Sequence, residues 1–171
     1  MSGVLRCIQE FDTRSFLCVA RQPSTSLLAR LALLVSATAD GWFYTLIVPV
    51  VILARPDTAR ELLQLALVAF TFERCCYFVL KNTFRRNRPQ QKLAGFMAAI
   101  KPADRFSLPS GHTSAAFLFV TLLCVLVSPL LAPLYLWAAA VGASRVILGV
   151  HFPSDVVMGA ALGSSIGFSI V

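Results

Sequence analysis

Long apolar runs separated by short polar connections constrain this chain more strongly than any other feature of its sequence. The runs lie at about 27–53, 60–80, 112–127, 134–148 and 156–171. A helix needs about 20 apolar residues to cross the roughly 30 Å hydrocarbon core of a bilayer. With 57% hydrophobic and only 13% charged residues, the chain falls outside the soluble class. We therefore expect an all-α, polytopic membrane helix bundle with about five transmembrane helices.

Residues 4–20 mix apolar and charged side chains at helical spacing and are too polar to span a bilayer. Glu10, Asp12 and Arg14 precede the first long apolar run, so we expect no cleavable signal. We expect a single domain over 1–171, with an interfacial helix and turn at 1–23 and a transmembrane bundle at 24–171.

Two local features modify this bundle. Asp40 and Gly41 interrupt the first apolar run near its middle. In the last run, Gly159, Gly163 and Gly167 recur every four residues, which predicts close packing of that helix on a neighbour.

The formal net charge of +7 is compatible with nucleic acid, an anionic membrane surface or an anionic substrate. Nucleic-acid binding favours a basic face with interleaved aromatics on a soluble module, and the sequence offers none. We therefore expect the bilayer and a lipid phosphate substrate as partners, and no nucleic acid. We also expect an active-site loop at 82–110, because long connections between packed elements are usually functional or disordered. The cations that crowd around this connection are Lys81, Arg85, Arg86, Arg88, Lys92, Lys101 and Arg105.

Polar residues far apart in sequence are expected to meet on one membrane face. Successive crossings run in opposite directions, so the second ends where the third begins, and the fourth ends where the fifth begins. The stretches that this topology brings together are 81–88, 110–112, 144–145 and 151–155.

The first stretch, KNTFRRNRP, places Lys81, Arg85 and Arg88 at i, i+4 and i+7, on one helical face until Pro89 ends the helix. A cationic helix end that binds lipid headgroups is the plain structural alternative.

The second stretch, FSLPSGHTS, is typical of a helix start. Pro109 fixes φ, Ser110 can cap the helix and Gly111 permits close approach to the backbone. The free N–H groups of such a start bind anions, and His112 lies beside them.

In the third stretch, SRVILGVHFPSD, Arg145 ends the fourth apolar run and His151 stands four residues before Asp155. A carboxylate at this spacing can fix the imidazole tautomer and leave the other ring nitrogen free for chemistry. A purely structural histidine at the interface is the alternative, but the pairing with Asp155 favours function.

Phosphoryl transfer requires this combination of groups: cations and N–H donors for the phosphate oxygens, a nucleophile, and an acid for the leaving oxygen. Paired carboxylates at metal spacing are missing from the sequence, which disfavours a Mg²⁺-dependent mechanism. We expect neither a metal nor another cofactor.

The ordered triple K-x6-RP, PSGH and SR-x5-H-x3-D, at 81–89, 109–112 and 144–155, resembles the signature of the type 2 phosphatidic acid phosphatase family, which is related to vanadium haloperoxidases. The resemblance implies an all-α membrane core of this family and a lipid phosphatase activity. It also implies a set of phosphate-binding residues, namely Lys81, Arg88, Ser110, Gly111 and Arg145.

The same resemblance implies three catalytic roles. His151 would attack phosphorus to form a phosphohistidine, Asp155 would orient its ring, and His112 would protonate the departing lipid oxygen. Water would then release inorganic phosphate.

Asp40 is interpreted as a helix cap or a hydrogen-bond partner of a neighbouring helix and is left outside the site. Arg85 and Arg86 could simply bind headgroups.

Alternatives to hydrolysis are a lipid phosphotransferase that uses the same site, a haloperoxidase, and a membrane protein that only binds anionic lipid. The substrates that the family suggests are isoprenyl diphosphates such as undecaprenyl diphosphate, and phosphatidylglycerophosphate or phosphatidic acid. The positive charges on the site's face point to the cytoplasm, but phosphate binding accounts for several of them. Bacterial relatives suggest the periplasmic face of the inner membrane, which we expect here. The oligomeric state is left open.

Overall fold

A computed structural model describes residues 3–20, 26–54 and 56–170, and every regular element in those ranges is helical. This confirms the all-α prediction. The helices are α1 (Gly3–Ala20), α2 (Leu27–Ala37), α3 (Gly41–Ala54), α4 (Pro56–Phe84), the short α5 (Pro89–Lys92), α6 (Gly111–Leu126), α7 (Leu134–Ile147) and α8 (Pro153–Ile170), with a 3₁₀ turn at Pro129–Leu131.

Two described helical segments are long and apolar enough to cross a membrane, one over Ala59–Lys92, which takes in most of α4 and the short α5, and one over Pro129–Ile147. The pair α2 and α3, bent by 56°, makes a third if the pair is one broken span. The bend falls where Asp40 and Gly41 interrupt the apolar run. Since α6 is an apolar helix of only 16 residues and is shorter than a full span, the number of five crossings stays a prediction.

The centre of the bundle is the pair α6 and α8, which pack more extensively than any other pair of described helices. A Cβ added to Gly163 would lie 2.1 Å from the carbonyl oxygen of Ser114, and one added to Gly167 would lie 2.7 Å from Cβ of Thr121. The glycine repeat therefore lets the two backbones approach closely, as the sequence predicts.

The first helix packs on the bundle through one face. Phe16 is fully buried, and its ring lies 5.0 Å from that of Phe96 and 5.3 Å from that of Phe152. Asp12 is also buried, whereas Phe11 is exposed on the other side. The location of α1 at the membrane interface stays a prediction, but its inner face reaches the polar end of the bundle.

Candidate active site

A cavity of about 620 Å³ opens at the end of the bundle where the polar stretches converge. Among the predicted site residues, Arg88, Gly111, His112, Arg145 and His151 line it. These residues come from the loop after α4, the start of α6, the end of α7 and the α7–α8 loop. The polar stretches therefore meet at one end of the bundle, as expected, and the location of this end at one membrane face stays a prediction.

His151 lies in the loop before α8 and is buried. Its Nδ1 lies 3.7 Å from Oδ2 of Asp155, which is an ion-pair distance but longer than a hydrogen bond. Within the described residues this nitrogen has no hydrogen-bond partner. Burial lowers the pKa of His151 to about 4, against an opposing effect of Asp155, so the imidazole is neutral near pH 7 and its other nitrogen can act as a nucleophile.

Arg88 lies on the Nε2 side of this ring. Its Nη1 is 3.5 Å from Nε2 of His151 and donates to the carbonyl of Val150 at 2.7 Å. The helical-face prediction for the first stretch is wrong in detail, because α4 ends at Phe84 and Arg88 has an extended backbone. Arg85, with φ of 45°, is exposed and does not share a face with Lys81 and Arg88.

Asp104 is a site residue that sequence analysis missed. Its Oδ1 accepts a hydrogen bond from Nη2 of Arg88 at 2.6 Å, and its Oδ2 accepts from Nζ of Lys81 at 2.6 Å and from the hydroxyl of Tyr77 at 2.5 Å. Burial raises the pKa of Asp104, but hydrogen bonds from Lys81, Tyr77 and Arg88 outweigh it and lower the pKa to about 2. A single carboxylate between Lys101 and Arg105 in a cationic loop was the available signal.

Lys81 is buried beside Asp104. Its ammonium group lies 4.2 Å from the centre of the Tyr77 ring and also donates to the Tyr77 hydroxyl. The Lys81 side chain is therefore held in place from two sides before any substrate binds.

The start of α6 differs in one respect from the prediction. Ser110 occupies the N-cap position, but its hydroxyl pairs with that of Thr113 at 2.9 Å and makes no capping bond to the backbone. Its own N–H donates to the carbonyl of Asp155 at 3.0 Å, which ties α6 to α8. A Cβ at Gly111 would lie 3.0 Å from the Tyr77 ring, so a side chain at this position would have to displace the ring slightly.

His112 contacts a residue that was left outside the site. Its Nε2 lies 3.0 Å from Oδ1 of Asp40, which stands at the break between α2 and α3 and lines the same cavity. Of the two roles considered for Asp40, a hydrogen bond to a neighbouring helix is the one found. The partner of that bond is a site histidine.

Arg145 is buried at the end of α7. Its Nη1 donates to the hydroxyl of Ser36 in α2 at 2.5 Å. Its Nε has no hydrogen-bond partner among the described residues. Because a buried donor without a partner is costly, an anion in the cavity would satisfy this guanidinium.

Arg86 does not simply face lipid headgroups. Its Nη1 donates to Oδ1 of Asp155 and to the hydroxyl of Ser154, each at 2.6 Å, and its Nη2 pairs with Oδ2 of Asp12 at 2.5 Å. The guanidinium also lies 4.6 Å from the centre of the Phe152 ring. Arg86 therefore connects α1 to the carboxylate that faces His151.

The family model of the PAP2 superfamily matches residues 61–171. A decaprenylphosphoryl-5-phosphoribose phosphatase of Mycobacterium tuberculosis is 32% identical over 136 residues, which cover 74% of this chain and 68% of the relative. The phosphatase of the same name from Mycolicibacterium smegmatis is 33% identical over 111 residues, 63% of this chain and 57% of the relative.

Two crystal structures resemble the bundle. LpxE of Aquifex aeolicus has a TM-score of 0.79 at 26% identity, and the match covers 92% of each chain. A transmembrane PAP2-type phosphatidylglycerolphosphate phosphatase of Bacillus subtilis has a TM-score of 0.72 at 24% identity, covering 99% of this chain and 85% of that one, a likeness of fold. With the polar cavity, the apolar helices and these matches together, the chain belongs to the PAP2 superfamily and is a membrane phosphatase of lipid phosphate esters.

Proposed function

We propose that the protein hydrolyses a lipid phosphate or diphosphate without a metal ion, through a phosphohistidine at His151. The observation that carries this proposal is the surroundings of the His151 ring. The ring is neutral and buried, Asp155 lies beside Nδ1, Arg88 lies beside Nε2, and the cavity that it lines also contains His112.

Phosphate binding is assigned to five residues. Lys81, Arg88 and Arg145 supply positive charge, and the hydroxyl of Ser110 and the N–H group of Gly111 supply donors at the start of α6. The buried Nε of Arg145, which has no hydrogen-bond partner among the described residues, supports this assignment. Because Lys81 and Arg88 pair with Asp104, a phosphate that binds to these two cations would displace the carboxylate from them.

In the first step, Nε2 of His151 forms a bond to phosphorus while the bond from phosphorus to the lipid oxygen breaks. Asp155 stabilises the positive charge that develops on the imidazole, and His112 gives its proton to the departing oxygen. In the second step, His112 accepts a proton from water, the water oxygen bonds to phosphorus, and phosphate leaves the histidine. Asp40 would orient His112 through both steps.

The substrate is assigned to the lipids that the family suggests, an isoprenyl diphosphate, or phosphatidylglycerophosphate or phosphatidic acid. The name of the mycobacterial relative supports extending this set to a polyprenyl-linked sugar phosphate. We assign the site to the periplasmic face of a bacterial inner membrane, which cysteine labelling at position 92 in intact cells would test.

The histidine roles are tested by replacing each one. We expect His151→Ala to abolish phosphate release and the acid-labile phosphoenzyme that rapid quenching traps in the wild type. His112→Ala should lose about 10²- to 10⁴-fold with a lipid monoester, because general acid catalysis contributes this much. It should lose far less with an aryl phosphate, whose leaving oxygen needs little protonation. Undiminished turnover by His151→Ala would overturn the phosphohistidine.

A further inference from the structure

An ion pair lies in the middle of α4, away from the motifs. Glu73 is fully buried, and the side chain of its neighbour Arg74 is 43% exposed. Nε and Nη2 of Arg74 donate to the two carboxylate oxygens of Glu73 at 2.6 and 2.8 Å. Ionisable residues inside a membrane segment are costly and usually have a function.

Tyr77 links this ion pair to the candidate active site. The Arg74 guanidinium lies 4.4 Å from the centre of the Tyr77 ring, and the Tyr77 hydroxyl bonds to Asp104 in the catalytic cavity. Arg74 precedes Lys81 by seven residues, so it lies about 10 Å deeper along the helix axis. It is a cation at a second, deeper level of the same helix face.

Arg74 also lies between two cavities. The first is the catalytic cavity, and the second is an apolar groove of about 420 Å³ between α3, α4 and α6. Tyr44, Phe70 and Arg74 line both. The rest of the groove is almost entirely apolar, with side chains that include Ile47, Val51, Leu62, Leu63, Leu67 and Leu122. A lipid with its phosphate in the cavity and its chain in the groove must pass Arg74.

We propose that Arg74 binds a second phosphate of the substrate, one that lies between the lipid chain and the phosphate that is released. This inference rests on the proposed function and specifies its substrate class. Glu73 accepts from the Nε and Nη2 edge of the guanidinium. The N–H groups of Nη1 have no hydrogen-bond partner among the described residues and are available to a ligand. A guanidinium matches phosphate oxygens, whereas an uncharged acceptor would not need a charged donor in an apolar wall.

The charged groups of Arg74 and Lys81 are closer together than their backbones. Both lie over the Tyr77 ring, 4.4 and 4.2 Å from its centre, so they are at most about 9 Å apart. Two phosphates of one lipid, joined directly or through a spacer such as a glycerol or a pentose, can therefore contact both cations. The class is a lipid with a second phosphate between its chain and the phosphate that is released.

The test compares phosphatidylglycerophosphate with phosphatidic acid of the same acyl chains in one detergent, and with an aryl phosphate. Arg74→Gln should raise KM for phosphatidylglycerophosphate by about tenfold to a hundredfold, the range expected for a charge-assisted hydrogen bond. Its kcat, and the kinetics with the other two substrates, should change little. Arg60→Gln, an exposed position on the same helix, is the matched control and should leave all three substrates unchanged.

Loss of Arg74 leaves Glu73 buried without a partner, which can prevent folding. The double variant Glu73→Gln/Arg74→Gln removes both charges, and we expect it to fold and to show the same selective rise in KM. Equal effects on the three substrates, or none, in the double variant would overturn the inference and indicate a structural ion pair. If the wild type releases no phosphate from any substrate, the proposed function fails instead.

Discussion

At the scale of single residues, two adjacent arginines have opposite surroundings. Arg86 bridges Asp12 and Asp155, with only 18% of its side chain exposed, whereas Arg85 is exposed and donates to the carbonyl of Asn82. Both follow α4 and both are cations near the membrane surface. Arg86 therefore belongs to a network that supports the candidate site, whereas Arg85 is a surface charge.

Arg86→Ala is expected to destabilise the protein and lower kcat, since it leaves the buried Asp12 and Asp155 without a cation. Removing one partner of a buried pair costs about 3–5 kcal/mol, and the partial exposure of Arg86 places the effect below that range. Thermal unfolding in detergent and aryl phosphate turnover measure both effects. Arg85→Ala is the control and should change neither, whereas equal effects of the two would mean that only headgroup attraction is lost.

Asp104 provides a second residue-scale prediction. Asp104→Asn removes the carboxylate that pairs with Lys81 and Arg88 but keeps its shape. We expect the inhibition constant of vanadate to be about tenfold lower for this variant than for the wild type, because vanadate no longer has to displace a carboxylate from the two cations. Weaker inhibition would mean that Asp104 positions the cations instead of competing with phosphate.

The same carboxylate has a defined pH dependence. The pKa of Asp104 is about 2 in the folded protein and 3.8 without its partners, so its stabilising contribution is fully present above pH 3.8 and is lost as the pH falls through 2. The difference in unfolding temperature between the wild type and Asp104→Asn should be constant from pH 5 to 8 and should shrink below about pH 4. A difference that changes near neutral pH would point to another group.

At the scale of helices, the contact of α6 with α8 positions the proposed acid, His112, relative to Asp155, the carboxylate beside the proposed nucleophile. His112 lies in the first turn of α6 and Asp155 in the first turn of α8. Three glycines on α8 bring the two backbones together. A change in this spacing would move His112 and Asp155 apart and so disturb the proposed mechanism.

Gly163→Ala tests this contact. The new Cβ would lie 2.1 Å from a backbone oxygen of α6, so the helices must separate, and overpacking of this kind costs about 1–3 kcal/mol. We expect lower thermal stability and lower kcat, with Gly41→Ala as the stability control because a Cβ there meets nothing within 4 Å. An unchanged unfolding temperature for Gly163→Ala would show that the interface has room.

At the scale of the whole molecule, cations from three separate parts of the chain surround the catalytic cavity. Lys81 comes from the end of α4, Arg88 from the loop after it and Arg145 from α7. Their charges can stabilise a phosphoryl group in an environment of low polarity, which is the role that a metal ion has in other phosphatases. We therefore expect phosphate release from a lipid phosphate to continue in excess EDTA, and loss of activity that Mg²⁺ restores would contradict the mechanism.

The sequence by itself determined the helical class, the break at Asp40 and Gly41, the glycine contact and the meeting of the three motifs. These features depend on local periodicity, helix-breaking residues and the alternation of membrane crossings, which can be read along the chain. Only the tertiary structure assigned Asp104, Asp12 with Arg86, and Asp40 with His112 to the site. The last two pairs join residues 74 and 72 positions apart. Side chains at such separations meet because whole helices pack at particular angles and depths, and no local pattern encodes that packing.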